Sequence, residues 1–351
     1  MSASGSASGS ASSSALTSAS PSPTSSTSGA ADPLYASVDV GGTTIGIALG
    51  HDDGRVVVEH EFPTESHRGP TAVLDRIGQE VARLAAEHGQ PLRLGIGLPG
   101  IVDAHEGVSK FLPNMPSHWL DVPVAAPLAA AVGCPVRVLN DVRQHTMGEL
   151  AYGHGRGRDR LTMVYLGLGT GIGGGVVIDG ELHLGPLGAA GEIGHITVLP
   201  SGSKCGCGNR GCLETLASGP AITASGVRLL TSGQADHLHQ LVGGDAGEVN
   251  PKNMTQAALA GDEAIAEAIA HAGEAIGLAM SSLVLAVHPE LIVIGGGVSL
   301  IGDLLFEAVR ETLRQRVQVF PVDDIAVVPS KLAEDAGLLG GLASAAFGTR
   351  A

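Results

Sequence analysis

The sequence predicts an α/β fold built as two related lobes. Two observations carry this. Apolar strands alternate with helical stretches along most of the chain, and one layout (strand, Gly/Thr turn, strand) occurs twice, beginning at Tyr35 and again at Leu161. Such alternation belongs to sheets covered by helices. Size agrees with it, since 351 residues with 44% hydrophobic content are enough for two ordinary domains with real cores.

The elements follow a polar head. Apart from Met1, one Leu and Asp32 at its end, residues 1–32 are Ser, Ala, Thr, Gly and Pro. A segment of this kind buries too little apolar surface to offset the entropy of ordering, so a disordered tail is expected. It has neither the basic start and apolar run of a secretory signal nor the Arg content of a transit peptide, and the expected address is the cytoplasm.

From Tyr35, YASVDV, the turn GGTT and IGIAL predict a hairpin with a backbone-rich tip. A helix is expected over 72–88, then the strand RLGIGLPG, then the strand VRVLN leading to Asp141 and a helix over 142–152. The second copy reads LTMVYLGLG, TGIGG, GVVIDG. Beyond it come an Ala-rich helix over 262–287, the strand LIVIGGGVS, a helix over 304–316, the strand IAVVPS and a closing helix over 335–347.

Charge and cysteine usage narrow the function. The net charge of -15 repels phosphate backbones, and no basic stripe with interleaved aromatics offsets it, so nucleic acid is not an expected partner. No uncharged apolar run approaches the ~18 residues of a membrane helix, so no membrane is expected either. Three of the four cysteines lie within eight residues, from Cys205 to Cys212, which points to a metal rather than a disulfide framework.

Several motifs carry chemistry. In DVGGTT, Gly41 and Gly42 let backbone N–H groups wrap an anion, Thr43 adds a hydroxyl, and Asp39 could hold Mg²⁺ through water. In LGLGTGIGGG, Thr170 and Gly171 offer a second such tip, making a two-sided phosphate clamp. VLND puts Asn140 and Asp141 at the carboxyl end of a strand, where open α/β sheets keep their chemistry; Asp141 is either a general base or part of a helix cap.

GEIGHITVLPSGSKCGCGNRGCLE supplies His195, Cys205, Cys207 and Cys212, with nine, one and four residues between successive members. This is a closed tetrahedral donor set, suited to a structural Zn²⁺ that stiffens a loop. Glu192 and Glu214 are carboxylates on that loop, either acceptors for sugar hydroxyls or solvated acids. The glycines of LIVIGGGVS would admit a flat ring such as adenine, or simply turn a strand into a helix.

DVGGTT, LND, LGTGIGGG, GEIGH and CGCGNRGCLE, in this order, resemble the ROK family of sugar kinases and sugar-responsive repressors, over nearly everything from Tyr35 to Phe347. The resemblance implies a two-lobed actin-like ATPase (ribonuclease H-like, hexokinase-like) fold with an interlobe cleft and a zinc-binding loop. Its small lobe would be 33–139 rejoined by 334–351, and its large lobe 140–333. It implies Asp141 as catalytic base and Asn114, Asn140, Glu192, His195 and Glu214 as sugar contacts, with His195 also a zinc ligand. Gly41, Gly42, Thr43, Thr170 and Gly171 match its phosphate loops and Gly296 its adenosine loop. ATP with Mg²⁺, a hexose substrate and a homodimer are further implications.

Thr44 departs from the Lys or Asn that kinases of the family often carry after GGT. A repressor adds a helix-turn-helix in front, and residues 1–31 have neither a basic residue nor an apolar helical period from which to build one. The expected activity is therefore phosphorylation of a hexose, glucose at O6 first. N-acetylhexosamine, mannose, fructose and allose, polyphosphate as donor, and a non-catalytic sugar sensor are the alternatives.

Overall fold

The hairpin that opens the folded chain is β1 (Tyr35–Val40) with β2 (Thr44–Gly50), antiparallel, Val40 facing Ile45 at the last rung. The structure, a computed structural model, describes residues 32–112 and 119–351. In β1, Ala36, Ser37 and Val38 are all fully buried, as befits a central strand covered on both faces. β3 (Val56–Pro63) alternates instead, with Val58, His60 and Phe62 half-buried and Val57, Glu59 and Glu61 exposed, the pattern of an edge strand.

α1 (Pro70–His88) starts on a proline, whose missing N–H would have had no helical partner there, and buries Val73, Ile77, Val81 and Leu84 along one face. β4 (Leu94–Leu98) returns parallel to β1. A small antiparallel sheet of β5 (Ile101–Asp103), β6 (Val108–Phe111) and β7 (Val122–Pro123) and then α2 (Ala125–Val132) precede β8 (Val136–Asn140), parallel to β4. The first sheet thus runs β3-β2-β1-β4-β8.

After α3 (Asp141–Ala151) the plan repeats. β9 (Met163–Leu168), β10 (Ile172–Ile178) and β11 (Glu181–His183) form an antiparallel meander. Then come α4 (Glu214–Ala217), α5 (Gly219–Thr231), α6 (Asp236–Val242), α7 (Pro251–Ala260) and the long α8 (Glu263–Val287). β12 (Leu291–Gly295), α9 (Asp303–Arg316), β13 (Ala326–Pro329) and α10 (Ala336–Phe347) complete the chain. The second sheet is β11-β10-β9-β12-β13, strand for strand the order of the first, so the repeat read at Leu161 extends to whole sheets.

Among the described residues α8 alone is long and apolar enough to cross a membrane. It is instead packed on α9, where Gly273 and Gly277 let the helices close; a Cβ at either would lie 2.6 Å from Ala308 Cβ or 2.5 Å from Thr312 Cβ.

Each half ends in a helix that leans on the other half's sheet: α3 packs on β10, α10 on β1 and β4, and the two helices cross. A Cβ at Gly340 would stand 1.8 Å from the Gln144 carbonyl oxygen, so the crossing tolerates no side chain there. Gln144 is fully buried and donates through Nε2 to Val38 O (3.0 Å) and Gly337 O (2.9 Å), tying α3 to β1 and α10. At the far end of α3, buried Glu149 accepts from Ser330 Oγ and from Leu332 N at 3.0 Å, fixing the loop that leads into α10.

Candidate active site

β8 passes directly into α3 at Asn140–Asp141, so the expected strand end is also a helix N-terminus. Asn140 caps that helix: its Oδ1 accepts from Val142 N (3.0 Å) and Arg143 N (3.3 Å), while its Nδ2 donates to Gly100 O (2.9 Å). The helix cap is therefore Asn140. The Asp141 carboxylate accepts from Val142 N at 2.8 Å. Burial pushes the Asp141 carboxyl above the ordinary Asp range, against the opposing pull of the His145 ring and the Val142 N–H.

His145 lies one turn further along α3, with Nε2 3.9 Å from Asp39 Oδ2 and its ring edge-on to Tyr165. Burial alone would lower its proton affinity, but the facing Asp39 carboxylate, with the Asp141 charge, raises it overall. Asp39 thus enters the same cluster as Asp141 through His145.

The first Gly/Thr tip, 41–44, is closed by Gly41 N donating to Thr44 O (2.8 Å), and Gly41, Gly42 and Thr43 are exposed. Thr44, the departure from the family pattern, lies with its hydroxyl 3.4 Å from that of Thr43. In the second tip, 169–171, Gly169 N donates to Gly171 O (2.9 Å), and Thr170 and Gly171 are exposed. An open groove of about 320 Å³ runs from Gly169 and Thr170 past Gly219 and Lys252 to Gly297. Gly296, the expected adenosine contact, directly precedes Gly297 of this groove. Its φ is 80° and a Cβ there would stand 2.3 Å from Leu168 O, so the chain itself requires the glycine.

The cysteine loop folds back by pairing Thr197 with Cys212 and Lys204 with Arg210. Gly211 permits it: φ is 66°, and a Cβ would collide with Leu199 O. His195, Cys205, Cys207 and Cys212 thereby present four donor atoms within 4.8 Å of one another. Cys207 Sγ and Cys212 Sγ are 3.7 Å apart, far beyond a disulfide, and Cys205 Sγ is 3.6 Å from His195 Nδ1. Zinc–sulfur bonds of about 2.3 Å and zinc–nitrogen bonds of about 2.0–2.1 Å give a tetrahedron with edges of about 3.8 and 3.6 Å. The donor set therefore fits Zn²⁺ in chemistry and spacing.

The loop's carboxylates point two ways. Glu192 Oε1 accepts from Arg143 Nη2 at 2.8 Å, and Glu192 Oε2 is 3.9 Å from His195 Nε2, the ring nitrogen turned from the cysteines. Glu214 Oε2 accepts from Ile172 N at 2.9 Å, joining the cysteine loop to the second Gly/Thr tip. Contacts thus run continuously from Asp39 through His145, along α3 to Arg143, and on through Glu192, His195 and Cys205 to Glu214 and Ile172. Asn114 lies outside the described residues. Sequence reasoning did not single out Arg143, His145 or Lys252; the first two were discernible only as the residues on the first turn after Asn140–Asp141.

Two equivalent sheets joined by crossing helices, with two Gly/Thr tips and a carboxylate where the halves meet, define an actin-like ATPase fold of the hexokinase-like kind. The ROK family pattern matches residues 35–346, and the chain belongs to that family. It is 37% identical to a glucokinase of Thermotoga maritima over 86% of this chain and 94% of that one. It is 30% identical to a xylose repressor of Caldicellulosiruptor bescii over 87% of this chain and 76% of the repressor. Among solved structures, a ROK family glucokinase from Streptomyces griseus in complex with glucose and AMPPNP superposes with a TM-score of 0.74 at 31% identity, covering 89% of this chain and 99% of that one.

Proposed function

We propose that this ROK-family sugar kinase transfers the terminal phosphoryl group of ATP to a hexose, with glucose O6 as the first acceptor to test and Asp141 as general base. The observation that carries the reading is the setting of Asp141. It begins α3, the helix that also carries His145, which meets Asp39, and Arg143, which meets Asn140 and Glu192. Asp141 would take the hydroxyl proton as that oxygen attacks the γ-phosphorus and the bond to the β,γ-bridging oxygen breaks. Backbone N–H groups of 41–43 and 169–171 would cradle the phosphates, with adenosine in the groove beside Gly219 and Gly297. Asn140, Glu192, His195 and Glu214 would hold sugar hydroxyls.

Mg²⁺ bound with ATP would neutralise charge on the transferring group, with Asp39 in reach to hold it through water. Zn²⁺ on His195, Cys205, Cys207 and Cys212 would serve as a brace for the sugar loop. The packing of α10 on the first sheet and α3 on the second supports lobes of 33–139 with 334–351 and of 140–333. A cytoplasmic homodimer is the form we propose for it.

The test is a coupled assay across glucose, mannose, fructose, allose and N-acetylhexosamines, with ATP and polyphosphate as donors. Turnover of glucose with ATP is expected. The likeness to the xylose repressor favours one second reading, a sugar-responsive regulator; saturable hexose binding without turnover on any donor would replace the kinase reading with it.

A further inference from the structure

The Arg143 side chain is only 1% exposed, against 36% for the Glu192 carboxylate it meets. A buried guanidinium persists only where its donors are satisfied. Here Nε donates to Ala190 O (3.0 Å), Nη1 to Asn140 Oδ1 (2.9 Å), and Nη2 to both Ala189 O (3.1 Å) and Glu192 Oε1 (2.8 Å). One rigid planar fork therefore joins the cap residue beside Asp141, the backbone just before the GEIGH segment, and one oxygen of Glu192. The other oxygen, Oε2, lies 3.9 Å from His195 Nε2.

We infer that Arg143 is a positioning residue for hexose recognition: it sets the rotamer of Glu192, so that one sugar hydroxyl is discriminated through it. This rests on the reading of Glu192 as a sugar contact; Asn140 keeps its bonds to Gly100 O and Val142 N without the Arg143 side chain. Lysine cannot substitute, because a single ammonium cannot reach four acceptors spread over a plane. A purely structural Arg143, stitching residues 189–190 to α3, would make a different prediction. Its loss would weaken every sugar equally, whereas a positioning role is confined to the hydroxyl that Glu192 holds.

Calorimetric titration of the full-length chain with glucose and with each monodeoxyglucose, without nucleotide, separates the two. In wild type, removing the Glu192-held hydroxyl should cost about tenfold or more in affinity, as for a charge-assisted hydrogen bond. In Arg143→Lys that cost should fall to about threefold or less, while the costs of removing the other hydroxyls stay within about twofold of wild type. Glu192→Gln should single out the same hydroxyl; if it leaves the wild-type pattern instead, the inference fails even where an Arg143 variant folds poorly. Arg143→Lys with the wild-type pattern, affinity lost by one factor for every analogue, or no hexose binding by wild type would each overturn the inference. Hexose binding with the expected pattern but no turnover would sink the kinase reading and leave Arg143 its role.

Discussion

Burial raises the proton affinity of Asp141 while the His145 ring and the Val142 N–H lower it, and the net rise suits a group that must accept a proton from an alcohol. Asp141→Asn keeps the shape and removes the acceptor. Its kcat is expected to fall by about 10²–10⁴-fold with hexose affinity by calorimetry within a few fold; near-wild-type turnover would place the base elsewhere. The rise also has a thermodynamic sign. A carboxyl whose folded pKa exceeds its unfolded value, 3.8 here, binds more protons folded than unfolded. Its contribution to stability is present below the unfolded pKa and is lost as pH climbs through the folded one. Asp141→Asn should therefore melt above wild type at neutral pH, with the gap closing as the pH is lowered toward that unfolded value. A melting difference that ignores pH would show that the carboxylate is not held against its preference.

The cysteine loop and the hairpin tips are elements whose work depends on backbone more than on side-chain bulk. Cys207→Ser removes one of four donors held within 4.8 Å, and metal analysis should find about one zinc per chain in wild type and none in the variant. Because His195 reaches Glu192 and Glu214 reaches Ile172, loosening this loop should raise the hexose KM about tenfold or more while lowering kcat less. Zinc-free wild-type protein with the same KM would separate loop from sugar site. At the first tip, a Cβ on Gly42 meets nothing within 4 Å, so Gly42→Ala should leave Tm unchanged. It should still raise the ATP KM, since the new methyl stands on the surface that would face phosphate.

These elements were legible because their chemistry is local. The Gly/Thr tips sit between strongly apolar strands, and the Cys and His spacing converges whatever surrounds it. The strands β5 to β7 have two to four residues each, too few for a period to show, and α4 to α7 lie in a stretch broken by Gly, Ser and Asp. Arg143 and His145 stayed hidden for another reason. A charged residue on a helix's first turn reads as solvated, and only the fold reveals that Ala189, Ala190, Glu192 and Asp39 arrive to meet them.

At the scale of the molecule, the crossing of α3 and α10 decides where the candidate base stands relative to both halves. α3 carries Asp141 at its start and is clamped along its length, by Gln144 to β1 and α10 and by Glu149 to the loop entering α10. The crossing closes only because Gly340 has no side chain: a methyl there would stand 1.8 Å from Gln144 O, a backbone atom that cannot rotate away. Gly340→Ala must therefore part the helices, at a cost of about 1–3 kcal/mol or more for overpacking. It is the same chemical change as Gly42→Ala and should have the opposite profile, with a lower denaturation midpoint and a reduced kcat because Asp141 moves with α3. Chemical denaturation and steady-state kinetics on the folded fraction check both parts. Lost stability with kcat intact would mean that the crossing holds the halves together without setting the position of Asp141, and that the base is placed by the Asn140 cap and β8 alone.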